Sequence, residues 1–86
     1  MEQRLRDLRN IGPQTERWLH EAGIHTPNEL EALGAMEAWR RVRALRPDAS
    51  LVGLYAVQGA LINCHWNELP EEMRDELRAA FEEALR

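Results

Sequence analysis

One segment constrains the fold of this chain more than any other: residues 51–65, which are apolar around nearly the whole circumference of a helix. Its large apolar side chains are Leu51, Val52, Leu54, Val57, Leu61 and Ile62. A helix of this kind needs neighbouring helices on several sides. Gly53 and Gly59 each weaken its helix propensity by about 1 kcal/mol, so we expect a neighbouring helix to approach closely at the glycines. The segment therefore predicts a helical bundle built around it, with Ser50 as its N-terminal cap.

Glycine and proline divide the rest of the chain into short helical segments. The clearest start signal is Thr26-Pro27-Asn28-Glu29, a capping box with proline at the first helical position. Helical periodicity and stop residues predict helices near residues 5–10, 13–22, 27–33, 35–46, 51–65 and 70–85. No alternating apolar run indicates a strand. The predicted fold class is all-α, a compact bundle of five or six short helices that contains a helix-hairpin-helix-like unit.

Length and composition limit the classes of protein that this chain can belong to. Its 86 residues predict a single domain over residues 1–86. No apolar run reaches about 18 residues, so we expect neither a membrane span nor a membrane partner. The N-terminus does not resemble a signal peptide. Cys64 is the single cysteine, which excludes an intrachain disulfide framework and favours a cytoplasmic location.

The formal net charge is −4, and this acidity bears on nucleic-acid binding. Domains that depend on contacts with phosphates are usually basic, so the charge counts against strong, autonomous binding of DNA. It is compatible with a local basic patch, because the local field matters more than the total charge.

The turn between the first two predicted helices is the main candidate site. Asn10, Ile11, Gly12, Pro13 and Gln14 match the turn of a helix-hairpin-helix unit, in which two short helices meet at a glycine. Backbone N–H groups at such a turn and at the start of the second helix suit a phosphate. Contacts of this kind hold the DNA backbone without reading its sequence.

This turn also departs from the DNA-binding pattern. Pro13 removes one N–H donor, and Glu16 lies where it would repel a nearby phosphate. Arg9 and Arg17 flank the turn and offer compensation. Two interpretations therefore stay open, a weak contact with the DNA backbone and a purely structural corner.

A second positive stretch lies on the helix predicted over residues 35–46. Arg40, Arg43 and Arg46 can align away from Trp39 on that helix. They could contact phosphate or an acidic partner, and we therefore add Arg40 and Arg43 to the tentative nucleic-acid site. The alternative is a solvated face in which Glu37 pairs with Arg41.

The remaining reactive side chains predict neither a metal site nor catalysis, and no cofactor. His20, His25, Cys64 and His65 lack metal-ligand spacing, and we expect His65 to cap the end of the central helix. No buried acid/base pair can be argued, so we expect a protein that is not an enzyme. The chain has three tryptophans, which could form an aromatic cage for a ligand, although core packing explains them more simply.

Four ordered blocks of sequence support a family resemblance. They are N-I-G-P at 10–13, W-L-x-E-A-G-I-x-T at 18–26, E-L-E-A-L-G-A-x-E-A-W-R-R at 29–41 and G-A-L-x-N-x-H-W-N-E-L-P at 59–70. Together they resemble the C-terminal domain of the TfoX/Sxy competence regulators over residues 5–77. Full-length relatives carry a separate N-terminal domain, and the resemblance leaves open whether this chain is a stand-alone form or a fragment.

The resemblance implies a regulatory or accessory domain that acts in bacterial competence and DNA transformation. Its partner would be the DNA backbone, bound weakly, or a protein of the transcription machinery. Two alternatives stay open: a protein–protein interaction module without nucleic-acid binding, and a small-molecule-binding helical domain. The sequence does not determine the oligomeric state.

Overall fold

The computed structural model describes residues 3–83, and all of their regular secondary structure is helical. The α-helices are α1 (Pro13–Glu21), α2 (Pro27–Leu33), α3 (Ala35–Leu45), α4 (Leu51–Ile62) and α5 (Glu71–Glu83). Short 3-10 helices at Leu5–Asp7 and Trp66–Glu68 precede α1 and α5. The predicted all-α bundle is confirmed.

Side chains cap two of the helices at the predicted residues, although the bond from the Thr26 N–H to Glu29 that a full capping box requires is not formed within residues 3–83. The backbone N–H of Glu29 donates to Thr26 Oγ1 at 3.1 Å, and the Thr26 hydroxyl donates to the Glu29 carboxylate at 3.3 Å. At the start of α4, the N–H of Gly53 donates to Ser50 Oγ at 3.3 Å. These bonds satisfy N–H groups that the helix itself leaves without a partner.

Helix α4 lies at the centre of the bundle, as its apolar circumference predicts. It packs against α3, α5 and the 3-10 helix at Trp66–Glu68. A Cβ atom added at Gly53 would overlap the indole ring of Trp39 in α3. A Cβ atom at Gly59 would meet the backbone carbonyl of Cys64 and the side-chain amide of Asn10. The expected close approach of a neighbouring helix is confirmed at Gly53. It was wrong at Gly59, where the close neighbours lie in the turns at Asn10 and Cys64 and not in a helix.

Two predicted helix boundaries were wrong. Helix α4 ends at Ile62 instead of continuing to residue 65, because Asn63 adopts a left-handed conformation with φ 54°. The N–H of Cys64 then donates to the carbonyl of Gly59 at 2.8 Å and closes the helix end. The first predicted helix, over residues 5–10, is shortened to the 3-10 helix Leu5–Asp7.

One predicted capping role was also wrong. The His65 side chain does not cap the end of α4. It accepts a hydrogen bond from the N–H of Asn67 at 3.3 Å and so caps the 3-10 helix at Trp66–Glu68.

A single cluster of buried apolar residues joins all five α-helices and the segment before α1. Its fully buried large side chains are Leu5, Leu19, Ile24, Leu30, Val42 and Val57. Within residues 3–83, none of the helices has both the length and the apolar character that crossing a bilayer requires.

Candidate nucleic-acid interface

The candidate site is the hairpin turn, by which we mean residues 9–17, comprising the turn before α1 and the first half of that helix. The N–H of Ile11 donates to the carbonyl of Leu8 at 3.2 Å. Asn10 has a φ of 71°, a left-handed conformation that asparagine tolerates better than most residues. Ile11 is buried in the core. Its side chain therefore anchors the turn and is not available to a ligand.

The side chain of Asn10 fixes this turn to the far end of α4. Its Nδ2 donates to the backbone carbonyls of Ala56, at 3.2 Å, and Cys64, at 2.9 Å. Its Oδ1 accepts the N–H of Trp66 at 3.3 Å. Asn10 was among the predicted contacts with nucleic acid, but its amide group is occupied inside the protein. A ligand could reach only its backbone.

The start of α1 leaves backbone donors without protein partners. Gly12 is the N-terminal cap residue, and no side chain caps the helix there. The first helical bond runs from the N–H of Glu16 to the carbonyl of Gly12 at 3.0 Å. Within residues 3–83, the N–H groups of Gln14 and Thr15 have no hydrogen-bond partner. Such groups at a helix N-terminus bind anions.

The negative charge of Glu16 is compensated within the protein. This carboxylate is buried and accepts hydrogen bonds from Arg6 Nε at 2.8 Å, the N–H of Arg6 at 3.1 Å and Arg4 Nη2 at 3.3 Å. Burial alone would raise the pKa of Glu16, but the hydrogen bonds from Arg6 and the charges of Arg6 and Arg4 lower it below its ordinary value. The expected repulsion between Glu16 and a phosphate is therefore reduced by two arginines.

Arg9 and Arg17 are the exposed arginines of residues 3–83 that form no ion pair. Seven arginines are exposed, and five of these form ion pairs with carboxylates: Arg4, Arg6, Arg40, Arg41 and Arg78. Arg9 and Arg17 are exposed and form no ion pair or side-chain hydrogen bond with any residue from 3 to 83. Both belong to the hairpin turn.

The arginines of the second predicted basic stretch, on α3, contact other residues of the protein. Arg40 and Arg41 both bind Glu37, with N–O distances of 2.6 and 3.0 Å. The predicted pair between Glu37 and Arg41 is thus present. Arg43 lies with its guanidinium carbon 4.1 Å from the centre of the Phe81 ring.

Arg46 also has partners in the protein. It binds Glu21 at 2.9 Å and stacks over Trp18, with its guanidinium carbon 5.8 Å from the ring centre. Arg40, Arg43 and Arg46 therefore contact different parts of the molecule and do not form a single exposed row.

The sequence and the fold were both compared with those of known proteins. The sequence model of the TfoX C-terminal domain matches residues 1–81. The chain belongs to the TfoX C-terminal domain family.

A curated relative is Protein Sxy of Escherichia coli (strain K12), which is 36% identical over 75 residues. The match covers 87% of this chain but only 36% of Protein Sxy, so the chain spans about a third of that relative's length.

Two crystal structures of Listeria monocytogenes proteins have the same fold. One, an uncharacterised protein in a triclinic form, gives a TM-score of 0.86 at 37% identity and covers 88% of this chain and 86% of its own. The other, a protein of unknown function in a tetragonal form, gives a TM-score of 0.91 at 35% identity and covers 93% and 99%.

The acidity of this TfoX C-terminal domain is concentrated near its end. Residues 68–83 carry seven carboxylates and two arginines, whereas residues 3–67 carry seven carboxylates and eight arginines. Helix α5 packs against α3 and α4, whereas α1 packs against α3 and the 3-10 helix Leu5–Asp7. The net charge of −4 therefore does not describe the surroundings of the hairpin turn.

The histidines and tryptophans of this TfoX C-terminal domain form pairs. The rings of His20 and His25 lie 5.1 Å apart, and within residues 3–83 no three His, Cys, Asp or Glu side chains form a group suited to a metal ion. Trp18 packs 6.4 Å from Trp39, whereas Trp66 pairs with His65 at 5.8 Å. The three tryptophans therefore do not share one cage.

Sequence analysis missed the role of Arg4 and Arg6. They lie ten or more residues from Glu16 in sequence and meet it only because the N-terminal segment folds back onto α1. Helical spacing rules cannot detect such a pair. The one signal available was a glutamate in the first turn of a helix, close to its positive end.

Proposed function

We propose that this domain is a regulatory, non-catalytic domain of the TfoX/Sxy type, which acts in the cytoplasm in the activation of competence genes. Within that role, the hairpin turn contacts the DNA backbone weakly and without sequence preference. Membership of the TfoX C-terminal domain family and the match to Protein Sxy support the regulatory role. The contact with DNA is argued from the geometry of the turn.

The observation that carries the proposal is that Arg9 and Arg17 are exposed and form no ion pair within residues 3–83. Every other exposed arginine in residues 3–83 has a carboxylate partner. An arginine without an internal partner keeps its donors for a phosphate and loses no ion pair when it binds one. Two such arginines at either end of one turn match the charge of a nucleic-acid backbone.

The backbone of the turn supports the same contact. The unpartnered N–H groups of Gln14 and Thr15 lie at the positive end of α1. A Cβ atom added at Gly12 would meet nothing within 4 Å, so the surface beside these donors is open to a ligand. Two arginines and two amides are few contacts, which is why we propose weak binding.

The first test is fluorescence anisotropy of a labelled DNA duplex, titrated with the purified domain at two salt concentrations. We expect micromolar binding that weakens with salt. The double variant Arg9→Glu, Arg17→Glu should lose this binding, and neutral Arg9→Gln, Arg17→Gln should reduce the slope of log K against log salt by about 2. Circular dichroism should show an unchanged fold in both.

A matched control separates the site from the total charge. The variant Arg41→Glu, Arg78→Glu makes the same change in net charge at exposed arginines outside the hairpin turn. Its affinity for the duplex should be higher than that of the double variant Arg9→Glu, Arg17→Glu. Equal losses in the two variants would show that total charge governs binding and would remove the hairpin turn as the site.

A protein partner is the second candidate, favoured by the acidic surface of residues 68–83. All seven carboxylates of this surface are exposed, so a basic protein surface could bind there. If the duplex does not bind even at low salt, the turn is a structural corner. A partner from the transcription machinery should then be recovered by a pull-down that survives nuclease treatment.

A further inference from the structure

A cleft between α3 and α5 lies outside the hairpin turn. Its volume is about 170 Å³, and Trp39 and Leu54 contribute to its lining together with Phe81 of α5. Trp39 and Leu54 are each only 2% exposed, so they belong to the core of the domain. Met36 lines the cleft as well and is 51% exposed. The lining is therefore largely apolar.

Arginines make the rim of this cleft positive. Arg40 and Arg43 line it together with Glu37. The Glu37 carboxylate accepts hydrogen bonds from Arg40 Nε at 3.0 Å, from Arg40 Nη2 at 2.6 Å and from Arg41 Nε at 3.0 Å. Two guanidinium groups thus bind this one carboxylate. Arg43 adds a further positive charge to the lining, so the mouth of the cleft has a positive excess.

Arg43 is the cation without a carboxylate partner in this group. Its Nη1 donates to the Phe81 carbonyl over a long 3.5 Å, and its Nε is buried without a hydrogen-bond partner in residues 3–83. A partly buried cation that lacks an anionic partner is costly, and unsatisfied buried polar groups are rare in native proteins. A carboxylate on the outer face of the guanidinium would supply the missing charge.

We propose that this cleft binds a small carboxylate with an apolar body, which places its body against Met36 and Phe81, above the buried Trp39, and its carboxylate on Arg43. The volume limits the body to about one ring and a short chain, because a cavity of roughly 150 Å³ holds one benzene molecule. Nucleotides and most cofactors are too large, since their sites measure roughly 300–1,000 Å³. A broad protein surface is also disfavoured, because the other exposed large apolar side chains, Leu45, Val52 and Ile62, do not line the cleft.

The test uses two molecules that differ in one group, 3-phenylpropionate and 3-phenylpropan-1-ol. Each is titrated into the ¹⁵N-labelled domain, and amide chemical shifts are followed by NMR. The carboxylate should shift the amides of Met36, Ala80 and Phe81 with a dissociation constant of about 1 mM or below. The alcohol should bind about tenfold more weakly, because it cannot form a charge-assisted hydrogen bond.

Variants identify the site. Arg43→Gln should remove the preference for the carboxylate, whereas Arg78→Gln on the outside of α5 should leave it unchanged. Ala80→Leu should fill the cleft and abolish binding of both molecules. Its matched control is Ala79→Leu, an exposed neighbour that does not line the cleft.

The comparison of the two molecules on the unmodified domain holds even if a variant fails to fold. Equal affinity for acid and alcohol would overturn the proposed carboxylate, and no shifts at 10 mM of either would overturn the site. Shifts confined to other residues would also overturn it. DNA binding has a separate readout, so either proposal can fail without the other.

Discussion

At the scale of single residues, Asn10 has the largest structural role of the predicted site residues. Its side chain connects three backbone groups that lie at least 46 positions away in sequence. The same residue adopts the left-handed conformation that turns the chain into α1. Asparagine suits both tasks, because it tolerates positive φ and carries a donor and an acceptor on one short side chain. Asn10 therefore positions the hairpin turn and does not itself present a group to a ligand.

We predict that Asn10→Ala lowers the free energy of unfolding by about 3 kcal/mol. The carbonyls of Ala56 and Cys64 and the N–H of Trp66 would lose their partner, at about 1 kcal/mol each. Asn10→Gly should cost less than Asn10→Ala, since glycine has no penalty at positive φ. Urea denaturation measures both free energies, with Asn28→Ala at an exposed position of α2 as the control. A change below about 1 kcal/mol in Asn10→Ala would show that the three bonds contribute little.

At the scale of helices, α3 makes contacts on both its inner and its outer side. Ala38, Trp39 and Val42 are buried on the inner side, and the Trp39 Nε1–H donates to the carbonyl of Ser50 at 2.9 Å. On the outer side, Glu37 links two arginines one turn away. A run of arginines that looks like a binding face in the sequence is therefore used largely for packing and pairing within the protein.

The pairing of Glu37 predicts a dependence of stability on pH. The hydrogen bonds from Arg40 and then Arg41 lower the pKa of Glu37 from 4.5 to about 2. Because the folded-state value is the lower one, this stabilisation is present above about pH 4.5 and is lost as the pH falls toward 2. The melting temperature of the unmodified domain should therefore exceed that of Glu37→Gln at pH 7, and the difference should shrink below pH 4.5. Thermal melts at several pH values measure it.

The control for this prediction is Glu31→Gln, at an exposed glutamate that forms no ion pair within residues 3–83. Its effect on the melting temperature should stay nearly constant across the same pH range. A constant difference for Glu37→Gln as well would mean that its ion pairs do not stabilise the fold, as is common for exposed pairs.

At the scale of the whole molecule, one core holds every helix. Even α5, which carries most of the excess negative charge, inserts Leu77 into the same cluster, and Met73 and Phe81 pack against it. A domain with one contiguous core and a short chain usually unfolds in a single step. The charged outer surface and the hairpin turn are therefore supported by the same set of apolar contacts.

We predict that far-ultraviolet circular dichroism and tryptophan fluorescence report coincident unfolding transitions in urea. Only Trp39 of the three tryptophans lines the cleft beside α5, so early loss of that helix alone would lower the dichroism before the full change in fluorescence. Leu77→Ala should shift both transitions together by about 2–5 kcal/mol. Separated transitions in either protein would show that α5 is an independent unit.

The sequence by itself determined the helical class, the order of the helices and the family. These properties depend on local signals: the capping box at Thr26, the glycine and proline stops, and the apolar circumference of residues 51–65. It also identified Gly53 as a site where another helix approaches closely, because glycine within a helix needs a packing reason. At Gly59 the close neighbours are the Asn10 side chain and the Cys64 carbonyl, which the sequence did not predict. The error at the end of α4 came from a local competitor, the left-handed Asn63, which closes the helix three residues early.

Only the tertiary structure decided what each charged or polar side chain is free to do. Arg9 and Asn10 are adjacent in sequence, yet Arg9 is exposed without a partner and Asn10 is fixed inside the molecule. Glu16 is compensated by Arg4 and Arg6, and Arg43 packs on Phe81, 38 positions away. The physical reason is that hydrogen bonds and ion pairs depend on distance in space. Contacts across tens of residues leave no periodic pattern along the chain.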